Sequence, residues 1–529
     1  MADLTPSRRT TLNLVTLNLA GKVLAIGKTL FIAALFGTSS HLDAFWVAYS
    51  LPLLLPNVLS STITTAFVPR FVASLEGRTS PEVWKGANTL FTSILILIAI
   101  GGAAIFVWAS PLIGVLAPGL SVATHDEAVG LMRLMVPSMV MLATNSLLSA
   151  LSYARASFLA PGLEGIVNNI AVIGVAAAFA RHAGVGALMA GVTLGFAAHL
   201  AILAWSNRDL IRSSFRFSFA FGHPDFRGPF AHMLPLLVGY TGTILTLLVN
   251  QYFVSNLSAG SISALSYASM LSMLPLEVFT NAVTSTYYPA LGRAFAAGDR
   301  KAAADTYFHG MRFLLLLTLP SAVLLVVFSR PIVVLLLQHG SFDAHSTDLT
   351  VEAMTILSVA MMFRSHTYFS YRVLNSALKA WTQVTIGLVG VATAILLNML
   401  WAERLGLRGI ALSTTLSSLQ SAILASICVR RLLGAKTSRE QWREIIRVLV
   451  PMAVLGAAAY LGQSLVPADL KARSNALWAI ATGATVIPAA LLALFVGWKL
   501  RIPEISSALA LAGRLIRRTP PGALGSRDA

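Results

Sequence analysis

Along the chain, apolar stretches alternate with short polar turns, and each stretch has the roughly 20 or more residues that a helix needs to cross hydrocarbon. Fourteen of them fall at 13–37, 43–73, 85–108, 125–154, 160–181, 184–206, 229–257, 261–291, 304–329, 346–371, 380–402, 406–429, 445–466 and 475–499. Inside a bilayer the backbone satisfies its own hydrogen bonds only as helices or closed barrels, and stretches of this length predict helices. The expected fold class is all-α: a polytopic membrane protein of about 14 transmembrane helices. The first stretch carries Lys22 and Lys28, is too long for a signal-peptide apolar region and has no small-residue cleavage site. It is expected to remain as helix 1.

The pattern contains a weak repeat. Ala66-Phe67-Val68-Pro69 closes helix 2 as Tyr287-Tyr288-Pro289 closes helix 8. Ala154-Arg155-Ala156 parallels Leu378-Lys379-Ala380, and Thr193-Leu194 parallels Thr415-Leu416. Six helices per half start both halves on the same side of the membrane, so the expected architecture is two six-helix lobes related by a parallel repeat, with two C-terminal helices outside it. The boundaries that follow are an N-lobe over 1–220, a C-lobe over 221–434, helices 13 and 14 over 435–500, and a basic cytoplasmic tail over 501–529.

Composition agrees: of 529 residues, 56% are hydrophobic and 11% charged, which excludes a string of soluble domains. The net charge of +17 would suit a nucleic-acid binder, but its distribution argues otherwise. With a cytoplasmic amino terminus, Arg8, Arg9, Arg70, Arg78, Lys85, Arg155, Arg208, Arg212, Arg216 and Arg227 fall inside. So do Arg293, Arg300, Lys301, Arg372, Lys379, the Arg430 to Arg447 cluster and the tail from Lys499. Outside segments hold only Arg181, Arg330, Arg404, Arg408, Lys471 and Arg473. This alternation is the positive-inside rule, and it expects a multi-pass protein of the bacterial inner (plasma) membrane with both termini cytoplasmic and no nucleic-acid partner. The single cysteine, Cys428, excludes an intramolecular disulfide.

Charges far from helix ends are costly in hydrocarbon and mark candidate sites. Lys22 and Lys28 lie roughly 9 Å apart along helix 1 and about 120° apart around it. Two ammonium groups at mid-depth suit an anion such as a pyrophosphate; the competing reading is that each snorkels to its nearer surface. Asp43 opens helix 2, where it either opposes Lys28 or caps the first turn. Glu277 follows Pro275 in helix 8, where the proline loosens the helix; it either faces the cavity or pairs structurally, and the same choice holds for Arg364 in helix 10. Arg133 and Arg312 lie near helix ends, and Glu164, one turn into helix 5, reads as cap-like. No phosphate-cradling glycine loop, metal-spaced cluster or nucleophile elbow appears, so no enzyme activity, cofactor or metal is expected.

The run from Lys22-Val23-Leu24 to Ala34-Leu35-Phe36-Gly37, then Leu42-Asp43-Ala44-Phe45-Trp46-Val47-Ala48-Tyr49 and Ala66-Phe67-Val68-Pro69, resembles the opening of the MurJ/MviN lipid II flippases. Arg155 to Pro161 with Asn168-Asn169-Ile170, Pro289 with Leu291, and Gln338-His339-Gly340-Ser341-Phe342-Asp343 resemble later parts of that family. The resemblance implies a member of the multidrug/oligosaccharidyl-lipid/polysaccharide exporter superfamily that moves an undecaprenyl-pyrophosphate-linked glycan, first of all the peptidoglycan precursor lipid II, from the cytoplasmic to the periplasmic leaflet by alternating access. It implies a cavity with Lys22 and Lys28 at the family's arginine positions and Asp43 at its aspartate, with Glu277 and Arg364 as further cavity candidates. The family's helix 2 arginine falls at Pro56 or Asn57, its Glu-Gly-Ala-Phe segment at Ser60 to Ile63, and its helix 8 arginine and glutamate at Met270 and Met273. Membrane lipids and proteins of cell-wall or polysaccharide synthesis are the implied partners. The rival readings are a lipid-linked exopolysaccharide flippase, an ion-coupled multidrug exporter, disfavoured by the positive sign of the deep helix 1 charges, and a non-transporting scaffold acting through its basic Arg430 to Arg447 loop.

Overall fold

The computed structural model describes residues 8–54, 56, 81–223, 245–434, 439–467, 469–470, 474–500 and 502. Outside the described residues lie the second half of predicted helix 2, with Arg70 and Arg78, the start of helix 7, with Arg227, and also Lys436, Lys471, Arg473 and the basic tail. The side chains of Arg8, Arg9, Arg439 and Arg443 lie outside them too.

A helix is found for every predicted stretch. They are α1 (Arg8–Phe36), α2 (40–54), α3 (Pro81–Val107), α4 (Val122–Ala154), α5 (Glu164–Ala183), α6 (Gly186–Ser206) and α7 (Leu245–Val254). Then come α8 (Ser261–Ala296), α9 (Arg300–Val327), α10 (Ala344–Ser376), α11 (380–405), α12 (407–433), α13 (Arg439–Ser464) and α14 (Asn475–Lys499). Gly406, at φ 57° and ψ −135°, separates α11 from α12 within an otherwise continuous run. Long apolar helices with exposed Ile96, Leu97 and Ile100 on α3 and exposed Ile487, Leu491 and Leu494 on α14 are those of a chain whose outer surface faces acyl chains.

The repeat faint in the side chains is plain in the backbone. Short helices Ala109–Leu116 and Ser329–Leu336, eight residues each, follow α3 and α9. The helices after them, α4 and α10, are both 33 residues long. Gly184, between α5 and α6, has φ 54° and ψ −138°, matching Gly406 between α11 and α12. Ala156 and Leu378, which follow α4 and α10, both take positive φ, a conformation that side chains with a Cβ rarely adopt. The chain is two six-helix halves in one topology, with α13 and α14 appended.

Two compact units divide these helices. The first comprises 1–269, 336–353 and 379–421. Lipid is as apolar as a leucine side chain, so its helices associate through small residues and polar contacts. Gly191 and Gly195, one turn apart on α6, lie on α5: a Cβ on either would come within 2.7 Å of the Val172 Cα or 2.8 Å of the Asn168 Cα. Polar links reinforce the packing, with the Ser138 and Thr193 hydroxyls 2.6 Å apart, Asn145 Nδ2 donating to the Phe196 carbonyl at 3.1 Å, and Asn207 Nδ2 donating to Ser152 Oγ at 2.8 Å. The second unit comprises 270–335, 354–378 and 422–529. There α13 and α14 pack on each other and on α9 through Phe328, Val448, Met452, Leu455, Ala459, Ala489 and Ala493. After Pro275, α8 widens into one π-helical turn over Leu276–Thr280, the loosening expected of that proline.

If the α5–α6 contact is set by its glycines, Gly195→Leu overpacks it at a cost of about 1–3 kcal/mol. The detergent-solubilised protein is expected to melt several degrees lower, while Gly174→Ala, on the same α5 but with open space around it, does not lower the melting temperature.

Candidate functional site

Lys28 sits two turns before the end of α1 among apolar neighbours and is half-buried. Its ammonium makes no hydrogen bond or ion pair with any described residue. Lys22, one and a half turns earlier, is exposed and engaged in contacts of its own. The two lysines share a helix without sharing a face, as their spacing predicts.

Asp43 lies in the first turn of α2 and is 3% exposed. Its carboxylate does not cap its own helix. One oxygen accepts from the Gly260 N–H at 2.6 Å, and the other accepts from the Ser263 N–H at 2.7 Å and Ser263 Oγ at 2.6 Å. These are donors of the first turn of α8, where the orphan N–H groups and the helix dipole favour an anion. The structure therefore makes Asp43 the cap of a helix more than two hundred residues away. The signal for this was in the sequence, as Gly260-Ser261-Ile262-Ser263 before an apolar run is a helix start, but nothing there named its acceptor.

The same end of the first unit is joined backbone to backbone. Ser341 N–H donates to the Ala34 carbonyl at 2.8 Å, and Thr38 Oγ1 donates to Ser346 Oγ at 2.8 Å. A Cβ on Gly37 would overlap the Ser341 carbonyl oxygen, one on Gly340 that of Ala34, one on Gly260 that of Thr38, and one on Gly119 that of Ser255. The α1–α2 turn thus meets the loop before α10, while the end of α7 meets the loop before α4, and these two contacts are related by the repeat. Asp343 caps α10 by accepting from the Ser346 N–H at 2.8 Å, and Ser346 holds its carboxyl below the usual carboxylate range.

Helices α7, α11 and α12, which carry no acidic residue in their interiors, are linked by neutral groups. Asn250 Nδ2 donates to Thr414 Oγ1 at 2.9 Å and Asn398 Nδ2 donates to Asn250 Oδ1 at 3.2 Å. Among the described residues no cluster of His, Cys, Asp or Glu could hold a metal ion.

In the second unit, Glu277 lies in the π turn, exposed and with a contact of its own. Arg364 on α10 is half-buried, with Nη1 3.9 Å from Met273 Sδ on α8. Its guanidinium reaches the stretch of α8 that contains Met270 and Met273. Of the predicted site residues, Lys22, Lys28 and Asp43 belong to the first unit, and Glu277 and Arg364 to the second.

The family model for lipid II flippase MurJ matches residues 32–477. A probable lipid II flippase MurJ of Buchnera aphidicola subsp. Acyrthosiphon pisum is 23% identical, over 82% of this chain and 85% of that protein. The lipid II flippase MurJ of Burkholderia cenocepacia is 26% identical, over 65% of this chain and 68% of that protein. Among solved structures, a lipid II flippase MurJ in an inward closed conformation superposes with a TM-score of 0.77 at 18% identity, covering 92% of this chain and 98% of that one. An inward-facing multidrug resistance MATE family transporter of the MOP superfamily gives 0.62 at 14% identity, covering 80% and 98%. These structural likenesses establish the fold, and the family match, which begins after Lys22 and Lys28, covers Asp43, Glu277 and Arg364. This multi-pass bacterial membrane protein belongs to the lipid II flippase MurJ family.

Proposed function

We propose that this chain is a flippase that carries a lipid-linked glycan pyrophosphate, with lipid II as its substrate, from the cytoplasmic to the periplasmic leaflet. Family membership supports the substrate class. The observation that carries the site is Lys28, a half-buried ammonium in an apolar helix with no described partner. An unpaired charge there is costly, and a pyrophosphate passing along α1 offsets it. Lysine meets such an anion as a point charge, tolerant of its orientation as the head group turns over. Lys22 serves as the second contact nearer the amino-terminal end of α1. The chain acts as a carrier without bond-making chemistry, its two six-helix halves opening alternately to either side, with both termini in the cytoplasm.

In this orientation the end where Asp43 caps α8 is periplasmic, and Asp43 acts by holding α2 to α8 when that side is closed. Each hydrogen bond to its carboxylate contributes about 1.5–3 kcal/mol. A second reading, a lipid-linked exopolysaccharide as cargo, is favoured by Met270 standing where the resemblance expects arginine.

Three outcomes are expected. In a strain depleted of its own lipid II flippase, wild-type protein restores growth, Lys22→Ala with Lys28→Ala at equal expression does not, and the corresponding double arginine variant does. Correctly inserted wild type that fails to rescue would overturn lipid II as the cargo and point to another lipid-linked glycan. Asp43→Asn, which turns one acceptor into a donor facing N–H groups, reduces flipping at least tenfold in the same strain and lowers the melting temperature. A reporter that fluoresces only in the cytoplasm lights up when fused to either terminus; darkness at one end would overturn the proposed orientation.

A further inference from the structure

After α6 ends at Ser206, the chain makes a short helix, Arg208–Ser214, and then runs without helix along the first half of α3, all within the first unit. It is fastened there at three points. Asn88 Nδ2 donates to the Ser214 carbonyl at 2.8 Å, the Ser218 N–H donates to Thr92 Oγ1 at 3.3 Å, and the Ala220 N–H donates to Thr89 Oγ1 at 3.1 Å. Asn88, Thr89 and Thr92 are all buried, and Phe215 packs on Phe91 with ring centroids 6.4 Å apart. Ser218 and Ala220, two residues apart, both face α3, which is the period of an extended chain. The phenyl groups between and beside them are left outside: Phe217 is 72%, Phe219 61% and Phe221 52% exposed.

These phenyls form an apolar patch that water opposes, and the fastened backbone keeps them from turning into the core. Basic groups flank them. Arg212 and Arg216 are exposed, and the Arg208 guanidinium lies over the exposed Trp205 ring, 4.4 Å from its centroid. The one acid between Trp205 and Phe221 is Asp209, whose carboxylate lies 3.8 Å from Arg208, so the segment keeps a net positive charge. Its depth follows from α3. The first exposed apolar residues of that helix, Ile96 and Leu97, come one turn after Thr92, roughly 6 Å further along the axis. The phenyls therefore stand just outside the level at which α3 begins to face acyl chains, and the patch continues that lipid-facing surface. Aromatic rings at this level beside arginines have the composition of a membrane-surface anchor. We propose that residues 208–221 are a strap that docks on the phospholipid surface: Phe217, Phe219 and Phe221 insert at the boundary of head groups and acyl chains, and Arg212 and Arg216 bind the phosphates of anionic lipids. The strap is separate from the Lys28 position and from the Asp43 cap of α8.

The test uses full-length protein in lipid nanodiscs. Cys428→Ser removes the single native thiol, so Phe219→Cys takes one nitroxide label, and Leu97→Cys, at an exposed position of α3, is the acyl-facing reference. Oxygen concentrates among acyl chains while a nickel chelate stays in water, and the ratio of their collision rates with the label reports its depth. The label at 219 should meet oxygen in preference to nickel, at roughly 5–10 Å into the boundary and shallower than the label at 97. Replacing phosphatidylcholine by phosphatidylglycerol should deepen it, and Arg212→Gln with Arg216→Gln should reduce that response at least twofold. A label at 219 that meets nickel freely overturns the proposal, and so does one shielded from both reagents, which would assign the patch to a protein contact. An unchanged lipid response in the arginine variant overturns the phosphate contact. If Phe219→Cys does not purify, the same label at Phe217 decides by the same criteria. The assay contains no lipid-linked glycan, so its result stands apart from that of the transport reading.

Discussion

In a bilayer no hydrophobic force drives one helix onto another, so this chain must hold its helices together by close approach and by the few polar groups it buries. The contacts that result are made by what is missing as much as by what is present. Gly191 and Gly195 let α6 lie on the backbone of α5, and four glycines at the α1–α2 and α7–α8 turns and the loops before α4 and α10 bring main chain against main chain. Between these points run hydrogen bonds such as Asn145 to Phe196 and Asn207 to Ser152, whose geometry fixes which faces meet.

Against this neutral framework the charges divide by role. Asp43 is surrounded by three donors at 2.6–2.7 Å, so its charge joins two helix ends and is unavailable for chemistry. Lys28 and Glu164 differ: both sit in membrane helices, and neither has a hydrogen-bond or ion-pair partner among the described residues. One is a cation on α1 and the other an anion at the start of α5.

The helix count and order were legible because the bilayer leaves a long apolar stretch one structural option. Predicted helix 4, at 125–154, forms over Val122–Ala154, and predicted helix 14, at 475–499, ends at Lys499 as expected. The short helices Ala109–Leu116 and Ser329–Leu336 escaped notice, since eight residues carry too little periodicity to register against long neighbours. A candidate site is visible in the sequence where a residue's cost announces it, as with Lys28 in an apolar run. It was illegible where partners meet only in three dimensions: the first-turn position of Asp43 was read correctly, but its acceptor role for α8 depends on a contact spanning 217 residues. Glu164 looked like a cap because helix starts favour acids, and only the structure, with its missing cap bond, separates it from that default.

The closest approaches in the junction around Gly37, Gly119, Gly260 and Gly340 are made of main chain, and main chain has no rotamers to freeze. Forming these approaches freezes few side-chain rotamers; what they order is the backbone of the glycines, the residues with the most backbone freedom to lose. Because the junction's closest surfaces carry no side-chain identity, the rest of the sequence can vary without disturbing how these turns fit together.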